Sequence, residues 1–131
     1  MILLDTHIWV RWVDSLADPL PPGIVNQIEI ADAVGISAVS CWETAWLARR
    51  GRLQLKLEFD RWLESALEGS GVSCLPVDGS IAVLAANLPE HHRDPADRMI
   101  IATAIKHNAQ LISLDGKFSQ YAALSALLIK N

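Results

Sequence analysis

The sequence predicts an α/β fold, a three-layer α/β/α sandwich built around a central, mainly parallel sheet. Short apolar runs alternate along the chain with stretches whose apolar residues repeat at helical spacing, a pattern typical of a parallel sheet with helical crossovers. The short runs are apolar on both faces, as in strands that are covered on two sides. The 131 residues suit one domain, since domains are commonest at about 100–150 residues, and we expect a single domain over residues 1–131.

The first half of the chain contains two predicted strands and three predicted helices. In order they are a strand at 2–4, helices at 8–16 and 24–33, a strand at 34–38 and a helix at 41–50. Apolar residues that recur every three or four positions define the helices. Gly51 ends the third helix, and the cations Arg49 and Arg50 in its last turn suit the negative end of the helix dipole.

The second half continues the alternation. In order it contains a helix at 59–67, a strand at 72–75, a helix at 80–88, a longest helix from 94 to about 107, and a strand at 110–114. Pro95 directly after Asp94 is typical of a helix start. The apolar tail at 121–129 fits either a helix or a last edge strand, and its role in dimerisation is open.

The composition excludes a disordered chain and a membrane-spanning one. Hydrophobic residues make up 51% of the chain and the net charge is only −4, so the chain can bury a proper core. The longest run without a charged residue covers the twelve positions 118–129, whereas a membrane-spanning helix needs about 20. We therefore expect no membrane association.

The termini and the cysteines indicate a cytoplasmic protein. The opening residues MILLD contain no basic segment of the kind that begins a signal peptide. Cys41 and Cys74 have no disulfide-framework spacing and fit a reducing compartment. The net charge of −4 argues against a broadly basic nucleic-acid surface, but removing the four acids described next leaves 11 basic and 11 acidic residues. Local binding of nucleic acid therefore stays open.

Four acids are predicted to meet at one edge of the sheet. Asp5 follows the first strand, Glu43 starts the helix after the second strand, and Asp115 follows the last predicted strand. Asp97 lies in the first turn of the longest helix and can face the same edge. In open parallel sheets the ligand binds outside the carboxyl ends of the strands, so this edge is the predicted site.

Taken singly, each of these acids has a structural explanation. Asp5 can cap the helix that follows it. Ser40 and Glu43 have the spacing of a capping box, and Asp115 precedes a glycine, as in a tight turn. As a set, however, four carboxylates at one edge repel one another unless a cation neutralises them.

The ligand types favour Mg²⁺ or Mn²⁺ as that cation. The candidate ligands are all oxygens, and no Cys or His has the spacing of a zinc site. A metal-bound water can attack a phosphodiester while the metal stabilises the developing charge. The residues by themselves therefore predict a metal-dependent phosphoryl hydrolase.

Four segments of the chain resemble the PIN-domain nucleases, and among them the VapC-type toxins of type II toxin–antitoxin pairs. They are LLDTHIWV, ISAVSCWETAWLARRGRLQL, LPEHHRDPADRMIIATA and LISLDGKF, in the order of the family. The resemblance implies a PIN-like fold and a homodimeric endoribonuclease that hydrolyses RNA with Mg²⁺ or Mn²⁺. It also implies a cognate antitoxin whose C-terminal segment lies across the toxin and blocks the acids.

The resemblance assigns roles to particular residues. The positions that match the family's metal-binding, catalytic acids are Asp5, Glu43, Asp97 and Asp115. Thr6 and Ser113 match small hydroxyl positions that line the same pocket. Asp94 is either the cap of the longest helix or an acid that supports the metal ligands from behind.

Basic and aromatic residues suggest further contacts. The densest basic group is Arg49, Arg50, Arg52 and Lys56. This group is either a solvated helix end or a phosphate track that leads RNA to the acids.

The tryptophans occur in pairs at helical spacing, Trp9 with Trp12 and Trp42 with Trp46. Such pairs are more often core residues, but Trp9, Trp12 and Trp46 could instead line an apolar groove or a dimer face. Cys41 at a predicted helix start could have a lowered pKa, although no histidine is placed as its base. Among the histidines, His92 is the one that could approach the pocket.

Three other readings remain open. A phosphatase of the haloacid dehalogenase type needs a second Asp two residues after the first, where this chain has His7. A receiver domain needs a phosphoacceptor after its third strand, where Asp78 is a poor candidate. A non-catalytic α/β binding module, in which the acids only cap helices, would bind no divalent metal.

Overall fold

The computed structural model describes residues 1–14, 16–91, 93–124 and 127–129 of the chain. Within these residues, five strands form one sheet, with the spatial order β3-β2-β1-β4-β5, and every neighbouring pair is parallel. The strands are β1 (Ile2–Leu4), β2 (Val34–Ser37), β3 (Val72–Leu75), β4 (Gln110–Ile112) and β5 (Leu128–Ile129). The predicted parallel sheet is therefore confirmed.

Among the described residues, six α-helices flank the sheet. They are α1 (Thr6–Val13), α2 (Pro22–Glu29), α3 (Ala38–Arg49), α4 (Phe59–Ala66), α5 (Gly79–Asn87) and α6 (Pro95–His107). In the described part of the chain, no helix is long and apolar enough to cross a membrane.

Two hydrophobic clusters give the fold its three layers. One cluster packs α1, α2 and α4 against one face of the sheet, around residues such as Trp9 and Ile36. The other packs α5 and α6 against the opposite face, around residues such as Leu3 and Ile100. Strands that are buried on both faces explain why their sequences are apolar without alternation, so the predicted α/β/α sandwich is confirmed.

Helix α3 begins earlier than the sequence predicted. Its N-cap is Ser37, whose hydroxyl accepts a hydrogen bond from the amide of Val39. The predicted capping box of Ser40 and Glu43 is therefore wrong, because both residues lie inside the helix. A serine at position 37 competes with the one at position 40 for the capping role, and the strand ends one residue sooner than expected.

Strand β3 forms one edge of the sheet and has sharply defined ends. Gly71 precedes it with a φ of 68°, a left-handed conformation that glycine adopts without strain. Pro76 follows it, and proline has no amide hydrogen with which to continue a ladder. The strand between them has four residues, as the sequence predicted.

The tail forms neither a continuous helix nor a long strand. A short 3₁₀ helix covers Gly116–Gln120 and another covers Ala122–Leu124, and β5 then pairs with β4. The predicted strand at 110–114 ends at Ile112, and Asp115 starts the first 3₁₀ helix instead of a tight turn. Positions 125 and 126 of the tail lie outside the described residues.

Candidate active site at the carboxyl edge of the sheet

The order in which the chain adds strands to the sheet reverses between β1 and β4. The chain runs outward from β1 to β2 and β3, and then returns to place β4 on the other side of β1. Such a switch point leaves a crevice at the carboxyl ends of the two central strands. Asp5 leaves β1 there, and its amide donates to the carbonyl of Ile112 at the end of β4 (3.0 Å).

Asp5 is a buried carboxylate held in one orientation. It is 5% exposed, and one carboxylate oxygen accepts a hydrogen bond from the amide of Thr6 (2.8 Å) at the start of α1. The other oxygen accepts from the hydroxyl of Ser113 (2.8 Å). Asp5 is thus a helix cap, as one explanation predicted, and it also lines the cleft formed by the other acids.

Ser113 connects two of the predicted acids. Its hydroxyl donates to Asp5 and accepts from the amide of Asp115 (3.0 Å). The carboxylate of Asp115 in turn accepts from the amide of Lys117 (2.9 Å), which fixes the start of the following 3₁₀ helix. Through Ser113, hydrogen bonds therefore connect the segment after β4 to the carboxylate of Asp5.

Thr6, like Ser113, connects separate segments of the chain, in this case α1 and α3. It is fully buried, and its hydroxyl lies 2.8 Å from the hydroxyl of Ser40. The side chain of Thr6 lowers the pKa of Glu43, against the larger effect of burial. The hydroxyl contacts of Thr6 thus join α1 to the turn of α3 that carries Glu43.

Helix α6 brings Asp94 and Asp97 to the cleft. Asp94 caps the helix, accepting from the amides of Ala96 (2.8 Å) and Asp97 (3.3 Å), which confirms the capping role predicted from Pro95. The guanidinium of Arg98 ties α6 to the end of α5 and the loop after it. Its acceptors are the carbonyls of Ala85, Ala86, Leu88 and Pro89.

A single cleft of about 320 Å³ collects all four predicted acids together with Asp94. The rest of its lining consists of His7, Ile8, Arg11 and Leu114. The sequence analysis missed the two basic residues His7 and Arg11. Helical spacing could have predicted them, because two residues that are four positions apart in the first turns of α1 lie on the same side of the helix. Arg11 also donates to the carbonyls of Asp18 (3.0 Å) and Pro19 (2.7 Å).

The cleft raises the pKa of two of its acids. Burial is the main reason that the pKa of Asp5 lies above its ordinary value, and the nearby charge of Asp115 raises it further. Burial also raises the pKa of Glu43, with the charges of Asp94 and Asp5 acting in the same direction. Hydrogen bonds and the charge of His7 oppose these effects on both acids. The surroundings in the cleft therefore disfavour the ionised forms of Asp5 and Glu43.

The donor set suits a hard divalent cation, although the acids do not enclose one as they stand. Within residues 1–14, 16–91, 93–124 and 127–129, no three His, Cys, Asp or Glu side chains are close enough together to hold a metal ion. The acids nevertheless share one cleft and present only oxygen ligands. Mg²⁺ is held directly by one or two carboxylates and keeps several waters, so it does not require a closed cage.

The cations of the basic group have different surroundings. Arg49 lines a groove with apolar residues of the 53–59 segment, whereas the guanidinium of Arg50 lies over the ring of Trp46, 4.2 Å from its centroid. Arg52 and Lys56 are exposed. None of these four cations lines the cleft.

The tryptophans have two different environments. Trp9 is fully buried and packs against Trp62, with ring centroids 5.0 Å apart, so the core interpretation is confirmed for Trp9 and the alternative of a groove or dimer face is wrong for it. Trp12 is partly buried against the same cluster. Trp42 and Trp46 instead stack on the exposed face of α3.

Three other predicted features are placed as follows. The pKa of Cys41 is raised to about 12 by burial and by Cys74, whose sulfur lies 3.8 Å away, so the suggested low pKa is wrong. Asp78 caps α5, accepting from the amide of Ile81 (2.9 Å), which leaves little support for a receiver domain. His92 lies outside the described residues.

Comparison with known proteins identifies the family. The PIN domain model matches residues 2–124. Ribonuclease VapC22 of Mycobacterium tuberculosis is 35% identical over 121 residues, which are 92% of this chain and 91% of that protein.

Solved structures agree on the fold. FitAcB from Neisseria gonorrhoeae matches with a TM-score of 0.65 and 23% identity, covering 99% of this chain and 97% of that one. VapBC2 from Rickettsia felis, bound to a DNA fragment from its promoter, matches with a TM-score of 0.70 and 19% identity, each chain being 98% covered. On the match to the family model and to the curated relative, this chain belongs to the PIN-domain family, in its VapC ribonuclease branch.

Proposed function

We propose that this chain is the toxin of a type II toxin–antitoxin pair and an endoribonuclease that hydrolyses RNA phosphodiester bonds with Mg²⁺ or Mn²⁺. The observation that carries the proposal is the convergence of acids from β1, α3, α6 and the segment after β4 on one cleft at the switch point of the sheet. The 35% identity to a ribonuclease over nearly the whole chain supports the same activity.

In this proposal Asp5, Glu43, Asp97 and Asp115 hold the cation. When bound, the cation supplies an activated water and stabilises the charge that develops on the phosphate. Asp5 is oriented for this role because the amide of Thr6 donates to one of its oxygens and the hydroxyl of Ser113 donates to the other. The burial that raises its pKa also excludes bulk water from its surroundings.

The basic residues of the cleft are suited to the substrate. His7 and Arg11 stand in the same lining as the acids, where a cationic group attracts a phosphate. Arg11 is already anchored by two backbone carbonyls, so its position depends little on the substrate. We assign both residues to holding the RNA backbone at the acids.

The substitution Asp97→Asn tests the activity. It removes one negative ligand while preserving the shape of the side chain, so we expect RNA cleavage with Mg²⁺ to be lost and the far-ultraviolet circular dichroism to be unchanged. Asp60→Asn is the matched control, because Asp60 also lies in the first turn of a helix, α4, but outside the cleft. Cleavage that persists in Asp97→Asn, or in EDTA, contradicts the proposal.

Metal binding separates this function from a binding module whose acids only cap helices. Isothermal titration of the chain with Mn²⁺ should show binding that Asp97→Asn weakens and Asp60→Asn leaves unchanged. If neither Mg²⁺ nor Mn²⁺ binds, the module becomes the better interpretation and the nuclease is excluded.

The partners follow from the same proposal. Several structural neighbours are toxin–antitoxin complexes, and we propose that a cognate antitoxin covers the cleft of this chain, which forms a homodimer in the cytoplasm. Coexpression with the product of the adjacent gene should relieve growth arrest, and light scattering should give twice the chain mass of 14.4 kDa. Growth arrest that persists in coexpression, or a monomer at micromolar concentration, contradicts these assignments.

A further inference from the structure

Helix α3 carries an exposed aromatic stripe that the proposed catalytic site does not use. The stripe consists of Trp42, Trp46 and Arg50. The two indole rings stack with their centroids 6.1 Å apart and their planes 25° from parallel, and the guanidinium of Arg50 covers the ring of Trp46. The exposed fractions of Trp42 and Trp46 are 59% and 38%.

So much exposed indole surface calls for an explanation. The chain buries Trp9 and Trp62 almost completely, so the fold does cover large rings where they contribute to the core. Adjacent exposed aromatic side chains in a soluble protein mark a surface that another molecule covers. The surroundings of the stripe indicate which molecule that is.

The stripe starts at the proposed catalytic site. Trp42 directly precedes Glu43, which lines the acidic cleft. Seven residues make about two turns of an α-helix, so Arg50 lies on the same side of α3 as Glu43 and about 10 Å further along its axis. Trp46 lies between them. A strand whose phosphate occupies the cleft can thus pass along the stripe within the length of a few nucleotides.

The charge around the stripe suits a polyanion. Glu43 is the only acid of α3, and the helix ends at Arg49 and is followed by Arg50, Gly51 and Arg52. Stacked aromatic rings beside arginine form the kind of platform on which unpaired bases stack, with little dependence on base identity. A groove for an apolar protein segment would not require a cation over one of its rings.

We propose that Trp42, Trp46 and Arg50 form a subsite for single-stranded RNA, in which unpaired nucleobases next to the cleaved phosphodiester stack on the indoles and Arg50 contacts a phosphate. This inference rests on the proposed ribonuclease function and adds to it the residues that hold the strand beside the acids. Stacking would also hold the strand in register with the acids.

Binding of a defined probe tests the subsite. In an Asp97→Asn background, which binds without cleaving, fluorescence anisotropy measures affinity for a 12-nucleotide unpaired RNA and for the same strand with abasic riboses at its central positions. Base stacking contributes enough that Trp46→Ala should weaken binding of the normal RNA by about 5- to 150-fold. The abasic strand should bind the parent weakly and should lose little more in the variant.

Three further variants control for other causes. Trp46→Phe keeps a stacking ring and should recover most of the affinity. Val83→Ala removes an exposed apolar side chain on a different helix, α5, and should change nothing. Arg50→Gln should weaken both strands and reduce the salt dependence of binding, because one phosphate contact contributes about 0.7 to its slope for single strands.

Each outcome has a definite meaning. If Trp46→Ala binds both strands as the parent does, or loses affinity for both equally, the base-stacking subsite is excluded. If it binds RNA normally but escapes inhibition by the antitoxin, the stripe belongs to a protein interface and the inference is wrong. If the wild-type chain cleaves RNA while the stripe variants bind and cleave normally, only this inference fails, whereas a wild-type chain that neither binds nor cleaves RNA overturns the proposed function as well.

Discussion

Asp5 and Asp14 lie at the two ends of the same short helix and are equally buried, at 5% and 4% exposed. Asp14 is the C-cap residue of α1, and its two oxygens accept hydrogen bonds from the amides of Leu16 (2.8 Å) and Lys56 (3.1 Å). It therefore fastens the 51–58 loop to the helix. Asp5 accepts one amide and one hydroxyl and stands among further carboxylates.

The difference shows that burial alone does not distinguish a functional acid from a structural one. Both carboxylates are held by two hydrogen bonds, and both connect distant parts of the chain. What separates them is their neighbours, since Asp5 shares its cleft with Glu43, Asp94, Asp97 and Asp115, whereas both oxygens of Asp14 accept from backbone amides. An acid whose environment disfavours its own ionised form is the one that gains from a cation.

Replacing each aspartate by asparagine gives the sharpest test of this contrast. Asp5→Asn should reduce RNA cleavage by more than about 100-fold, since even groups that only support a metal ligand are worth about 10- to 100-fold. The same substitution should make the metal-free protein more stable to urea at neutral pH, because it removes a buried charge. Cleavage within a few-fold of wild type would remove Asp5 from the site.

Asp14→Asn should give the opposite pattern. One of its two acceptor oxygens becomes an amide group that faces a backbone amide, which should lower the free energy of unfolding by about 1–3 kcal/mol. Cleavage per folded molecule should be unchanged at a temperature where the variant is fully folded. Urea denaturation measures the stability, and single-turnover cleavage measures the activity. A loss of activity without a loss of stability would contradict the structural role of Asp14.

The hydroxyl that supports Asp5 provides a smaller effect. Ser113→Ala removes the donor to Asp5 and the acceptor for the amide of Asp115, and we expect Mn²⁺ affinity to fall about tenfold. Ser119→Ala is the matched control, because its hydroxyl donates to the carbonyl of Gly116 outside the cleft (2.7 Å). Equal Mn²⁺ affinities of the two variants in calorimetry would show that Ser113 does not support the site.

The smallest effect concerns pH. The folded protein has raised pKa values at Asp5 and Glu43, so it binds protons more tightly there than the unfolded chain does. Their contribution to stability is fully present below the ordinary value of 3.8 for Asp5 and is lost as the pH rises through the raised pKa. In EDTA, the stability advantage of Asp5→Asn over wild type should therefore shrink as the pH falls from 7.5 to about 4.5. A constant advantage would contradict the raised pKa of Asp5.

The sequence was sufficient for the parts of the fold that depend on apolar pattern. Strand β3 and the start of α6 lie where the spacing placed them, because Gly71, Pro76, Asp94 and Pro95 act locally. The convergence of the four acids on one cleft was also predictable, since parallel strands share a carboxyl edge. Ends that depend on competition between neighbours were not, as the serines at the start of α3 show.

Contacts between distant segments account for the remaining errors. The helical spacing that left both a core role and a groove open for Trp9 could not show that Trp9 packs on Trp62, which is 53 positions away, and donates its indole hydrogen to the carbonyl of Ala66. Cys41 and Cys74 are likewise brought together only by the pairing of β2 with β3. His7 and Arg11 could be assigned to the cleft only once the first residue of α1 was known.

The limits of strand β3 have a consequence for the behaviour of the chain during synthesis. Its outer edge offers partners a ladder of four residues, whereas cross-β stacking requires segments of about six or seven. Gly71 and Pro76 prevent extension at either end. In a chain that is 51% hydrophobic, these two positions limit edge-to-edge aggregation. Replacing Pro76 by a β-branched residue should therefore reduce soluble yield before it changes any activity.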